Sequence, residues 1–158
     1  MGWDQANNTF YFTSNEGSPL RTAVYKIDAK GKKTKLSTQE GSNSAIFSKN
    51  MKYFVNTYSS ANIPPVITLN DNKGKVLTTL VDNQKLKQQM SGLNMPSKEF
   101  FTFKTTDGVE LNGWIMKPAH FDTNKKYPVI LHQYSGPGSQ QVLDRWGIGA
   151  MGNGGLFE

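Results

Sequence analysis

One stretch of the sequence sets chemistry-bearing residues in a compact order. Pro128-Val129-Ile130-Leu131-His132-Gln133-Tyr134 is an apolar run ending in a phenol, and it opens directly into Ser135-Gly136-Pro137-Gly138-Ser139-Gln140. A continuous apolar run of this length reads as a strand buried in a central sheet. Where such a strand gives way to a glycine-rich loop, an α/β sheet presents its active-site face. At that place the Tyr134 hydroxyl and the loop's amides are donors suited to an oxyanion forming on an acyl carbon. The same residues have a plainer reading, in which Tyr134 ends a strand with its hydroxyl in solvent and the loop makes a tight turn. His132, in mid-strand, reads as a packed histidine and not as an acid or base.

The remaining parts of a hydrolytic site do not accompany Tyr134. No serine lies in a G-x-S-x-G pentapeptide, the pattern of a nucleophile on a strained strand-to-helix turn. The 2 histidines are His120 and His132, and none follows them to complete a Ser–Asp–His order. Neither has a partner at metal-ligand spacing, and with 0 cysteines there is no thiolate nucleophile or ligand. No cofactor and no metal are expected. Glu99, Asp107 and Glu110 surround a turn and read as solvated edge charges. On its own the chain is expected to catalyse nothing.

The elements that must position this loop are mostly strands. Thr9–Thr13 is aromatic-rich and ends at Ser14-Asn15-Glu16-Gly17; Ala23–Ile27 and Lys33–Leu36 flank the turn Asp28-Ala29-Lys30-Gly31. Asn50-Met51-Lys52-Tyr53-Phe54-Val55 then resembles Asn8–Thr13, and Ile67–Asn70 resembles Tyr25–Asp28, at a displacement of 42 residues. Gly74-Lys75 follows Gly31-Lys32 one residue later. Short strands repeating at this period mark β-propeller blades, each needing neighbours to cover its faces. Two ordinary hairpins drawing on the same few residue types are the alternative, and the blade reading is favoured over them. Asp82–Met90 reads as a short surface helix, capped by Asp82 or Asn83, ended by Gly92, with Leu86 and Met90 on one face. Glu99–Thr105 and Val109–Met116 form a hairpin about Thr106-Asp107-Gly108. Pro118–Tyr127 is a loop with Lys125 and Lys126 exposed, and Gln141–Trp146 has helical character.

Charge and length set the outer limits. The net charge is +6, from 18 basic and 12 acidic residues. Arg21 and Arg145 are the two arginines, and the lysines are scattered, so a lysine-decorated β-surface is favoured over a nucleic-acid site. No apolar run nears the ~20 residues of a transmembrane helix, and the first residues have no signal-peptide pattern. The glycine-heavy stretch before Glu158 reads as a cut, so the chain is expected to be a segment of something longer.

Four groups of residues resemble the dipeptidyl peptidase IV family within the prolyl oligopeptidase group of serine peptidases: Asn94-Met95-Pro96-Ser97-Lys98-Glu99, Pro118-Ala119-His120-Phe121-Asp122, Lys125-Lys126-Tyr127-Pro128 and Tyr134-Ser135-Gly136-Pro137-Gly138-Ser139-Gln140. Phe47–Phe54 is similar to that family's last propeller blade. The resemblance implies a mainly antiparallel β chain: last blades of a β-propeller over residues 1–81, a connecting helix and linker over 82–96, and the first strands of an α/β-hydrolase domain over 97–158. It implies a parent that releases N-terminal dipeptides, Xaa-Pro or Xaa-Ala, by acyl transfer, with Tyr134 as the oxyanion donor. Gly138 stands where some relatives carry cysteine. The family's nucleophile, aspartate and histidine have no counterparts here, nor do its substrate-binding glutamates. The implied partners are a peptide substrate and a second copy of the parent, with export from the cytoplasm. The open strand edges of such a segment favour self-association. The competing class is a non-enzymatic β-rich module that binds a protein or a polyanion.

Overall fold

The computed structural model describes residues 2–133, 136 and 138–147. Two four-stranded antiparallel sheets come first, each an up-and-down meander. The first contains β1 (Gly2–Asp4), β2 (Thr9–Ser14), β3 (Ala23–Ile27) and β4 (Lys33–Lys35). The second contains β5 (Ser42–Phe47), β6 (Tyr53–Ser60), β7 (Ile63–Asp71) and β8 (Val76–Val81). A helix α1 (Gln84–Ser91) follows, then a separate hairpin of β9 (Lys98–Lys104) and β10 (Glu110–Met116). The two meanders are propeller-type blades, and the chain is mainly antiparallel β.

Local chemistry accounts for the turns. In the β3–β4 turn Asp28 Oδ1 accepts from the amides of Lys30 and Lys32, both at 2.9 Å. In the β7–β8 turn Asp71 Oδ1 accepts from the amides of Lys73 and Lys75, again at 2.9 Å. Gly31 and Gly74 supply the left-handed backbone that each turn needs, at φ 80° and 91°. These bonds make Asp28 the counterpart of Asp71, which corrects the repeat read from sequence. The 42-residue displacement pairs Asp28 with Asn70, and a one-residue slip in a strand reverses which face each side chain occupies. The amide of Lys75, followed by that of Lys73, holds the Asp71 carboxyl below its ordinary value of 3.8.

Strand register decides the core. Tyr11 pairs with Lys26 and Thr13 with Val24, which puts Tyr11 and Val24 on one face. Phe47 pairs with Phe54, so both face the first blade. Tyr11, Val24, Leu36 and Phe54 are buried together, with Ala45, Phe47 and Met51 packed around them. The rings of Tyr11 and Phe47 lie 4.6 Å apart, and those of Phe47 and Phe54 lie 5.0 Å apart. Each such buried side chain stabilises by roughly 1.5–3 kcal/mol relative to exposure. The blades are also stitched through backbone, since Thr22 accepts from the amide of Asn43 and donates to Gly41, both at 3.1 Å.

The helix is a modest element. Gln84 N–H donates to Asp82 Oδ1 at 3.0 Å, Asn83 adopts φ 51°, and Gly92 follows the last turn. No residue of α1 is buried. The hairpin turns about Thr105-Thr106-Asp107-Gly108, with Thr105 donating to Val109 at 2.9 Å.

Three sequence expectations fail in residues 128–146. Pro128–Gln133, the described part of the expected central strand, is irregular and unpaired, with Val129 86% and Leu131 87% exposed. A buried strand needs hydrogen-bonded strands beside it, and no described strand lies alongside. His132 is therefore exposed and not packed. Gln141–Trp146 is not helical either; it makes a bend and a turn.

Candidate active-site loop and its docking on the blades

Tyr134, the residue singled out by sequence, lies outside the described residues, as do Ser135 and Pro137. Beside them, Ser139 N–H donates to the Gly136 carbonyl at 3.1 Å. Gly138 takes φ 74° with nothing near its missing Cβ. Gln141 Nε2 donates to Ser139 Oγ at 2.9 Å.

The approach to this loop is held by small polar and aromatic contacts. The Tyr127 ring packs at a tilt against Phe121 with centroids 5.0 Å apart, and its hydroxyl accepts from Asp122 N–H at 3.0 Å. Lys117 Nζ lies 2.7 Å from Glu99 and 5.7 Å from the Phe121 ring. Lys98 Nζ sits over the Trp114 ring at 4.7 Å. Burial lowers the Lys98 ammonium's pKa, while the Asp144 charge opposes that shift. Glu110 is solvated as expected, and Asp107 is hydrogen-bonded to Thr105, which lowers its pKa. His120 and His132 are exposed and come from separate segments. No group of three residues among those described could hold a metal ion.

Sequence reasoning missed Asp144. This aspartate is buried, and each of its hydrogen-bonding groups has a partner on the blades. Oδ2 accepts from Arg21 Nε at 2.9 Å and Oδ1 from Ala61 N–H at 2.9 Å. Its own N–H donates to Leu20 at 2.8 Å, and its carbonyl accepts from Ser42 Oγ at 3.0 Å. Trp146 N–H reaches Ser59 Oγ at 3.3 Å. Arg21 also pairs with Glu40. Arg21 and Asp144 are 123 positions apart, so no local pattern could have announced the contact.

Two consecutive blades followed by a hairpin and a glycine-rich loop define a partial β-propeller with an appended segment. Residues 1–65 match the family described as the dipeptidyl peptidase IV N-terminal region. The solved structure of Porphyromonas gingivalis dipeptidyl peptidase 4 superposes with a TM-score of 0.87 at 51% identity, over 92% of this chain and 21% of that one. A "Probable dipeptidyl-aminopeptidase B" of Podospora anserina is 38% identical over 92% of this chain and 16% of its own length. The corresponding protein of Verticillium alfalfae is 33% identical over 92% of this chain and 17% of its own length. Residues 1–65 thus match that family's N-terminal region, and the chain over nearly all its length is similar to dipeptidyl peptidases. It spans about a sixth of the length of the curated relatives it matches.

Proposed function

We propose that the chain is the junction between propeller and hydrolase domain in a serine exopeptidase. That enzyme releases N-terminal Xaa-Pro or Xaa-Ala dipeptides by acyl transfer. Residues 1–81 contribute the last blades, 82–96 connect, and 97–158 begin the α/β-hydrolase domain. Tyr134 donates its hydroxyl to the oxyanion of the tetrahedral intermediate, where a preorganised donor lowers the barrier without reorganising at the moment of reaction. The chain holds no G-x-S-x-G serine, so the 158 residues alone are inactive. The natural partners are a peptide substrate and a second copy of the enzyme, which works outside the cytoplasm.

The observation that carries this reading is the ordered match over 92% of the chain to a dipeptidyl peptidase 4, together with the Tyr-Ser-Gly-Pro order at Tyr134–Pro137. The test is hydrolysis of a dipeptide–chromophore substrate by a polypeptide of the relatives' length. Tyr134→Phe should lower turnover by ~10²–10³, the usual loss for one oxyanion donor. A loss of less than about threefold, a small fraction of that range, with folding unaltered, overturns the assignment.

A further inference from the structure

Residues 138–147 contain no regular element, yet they include a buried aspartate bonded at both carboxylate oxygens, at its N–H and at its carbonyl. Asp144 is joined to three separate parts of the two blades. Leu20 and Arg21 belong to the β2–β3 connection, Ser42 opens β5, and Ala61 lies in the β6–β7 turn. Charge-assisted bonds to a buried carboxylate are short and strong, and a buried carboxylate left without them is costly. The segment is thus held by four bonds at Asp144, with Trp146 N–H on Ser59 Oγ beside them.

The β6–β7 turn serves twice. Next to Ala61, the Asn62 side chain accepts from Lys98 N–H at 2.8 Å and donates to the Lys98 carbonyl at 3.0 Å. Two adjacent residues of one blade therefore grip the start of the β9–β10 hairpin and the segment that follows the Tyr-x-Gly-Pro loop. Six residues of fully extended chain span at most about 21 Å, which caps the distance of Gly138 from the blade once Asp144 is docked.

We infer that Asp144 is a positioning residue that clamps the segment following the Tyr134–Pro137 loop onto both blades and so sets where that loop stands. The clamp itself is independent of chemistry, while its role in positioning rests on the peptidase reading given above. The two parts are tested separately. The first test is amide exchange on the 158-residue chain. Asp144→Ala should raise the exchange rates of the Ala61 and residue-144 amides by about tenfold or more, the loss of one charge-assisted bond. Val24 and Phe54 amides should hold. If Asp144→Ala does not fold, Asp144→Asn takes its place: it keeps an acceptor for Ala61 but loses the charge facing Arg21, so only the Arg21 side loosens. Unchanged protection at Ala61 overturns the clamp.

The second test uses a dipeptide–chromophore substrate and a polypeptide of the relatives' length. Asp144→Ala should lower kcat about tenfold to a hundredfold, the cost of misplacing a catalytic group by about 1 Å, with KM held. In a Tyr134→Phe background the same substitution should have little further effect, because its route to the chemistry is already cut. Equal losses in both backgrounds, or a change in KM alone, overturn the positioning role. If Tyr134→Phe itself leaves kcat intact, the peptidase assignment fails, and the exchange result still decides the clamp.

Discussion

The two blades and the β9–β10 hairpin are built from the same kind of strand and end differently. In the blades, Tyr11, Val24, Leu36 and Phe54 meet between two sheets and are buried. In the hairpin, the Phe101 and Phe103 rings lie tilted 6.0 Å apart but both remain exposed. Local pairing is equally good in both, with seven antiparallel partners from Glu110–Lys104 to Met116–Lys98. What differs is a second layer. A sheet face is removed from water only by another sheet or a helix, so strand formation and core formation are separate events.

The largest test of that difference is a matched pair of truncations. Phe54→Ala should cost about 3–5 kcal/mol, as a fully buried phenylalanine does. Phe101→Ala, on an exposed face, should cost under about 1 kcal/mol, within the range of surface and cross-strand effects. Urea denaturation followed by near-UV circular dichroism measures both. Similar losses would mean that the hairpin aromatics have a covering layer of their own.

A finer comparison lies within the repeat. Gly31 and Gly74 occupy the same turn position, but a Cβ on Gly31 meets nothing, while one on Gly74 would fall 2.5 Å from the Leu36 carbonyl oxygen. Gly31→Ala should therefore cost only the left-handed strain, about 1–2 kcal/mol, and Gly74→Ala distinctly more. Equal shifts in melting temperature would show that the Leu36 backbone yields freely.

The smallest effect is electrostatic. Because Asp71 has a pKa below 3.8 when folded, its contribution is fully present above that value and is lost as pH falls through the folded pKa. Stability should decline on acidification below the ordinary aspartate range, and Asp71→Asn should flatten that decline. Melting temperatures between neutral and strongly acid pH check the sign.

Much of this architecture was legible because it is local. Ala23–Ile27 is apolar and β-branched or aromatic at most positions and is closed by an Asp-x-x-Gly turn, and its observed limits are those read from sequence. The hairpin and the helix were placed to within about two residues for the same reason, turn and cap chemistry being written in adjacent positions. β1, β5 and β8 were not read as strands. Their identity depends on the strand that each one joins: Gly2-Trp3-Asp4 has little strand character until it pairs with Thr9–Tyr11. The apolar run Val129–Leu131 carried the opposite error, since hydrophobicity states a need for partners and not their presence. Of the candidate site, Tyr134 rests on its motif, and Asp144 had no signal at all, its partners being dispersed over Leu20, Arg21, Ser42 and Ala61.

The separation of Arg21 from Asp144 also bears on the order of folding. Each blade closes through neighbouring strands joined by short turns, contacts that a chain finds early. The Arg21–Asp144 bond closes a loop of more than a hundred residues, and its entropic cost is met only after the blades have shortened the path between its ends. A contact made that late is absent from the folding transition state. Its loss would leave the refolding rate alone and appear as faster unfolding, so the clamp governs how long the docked state lasts.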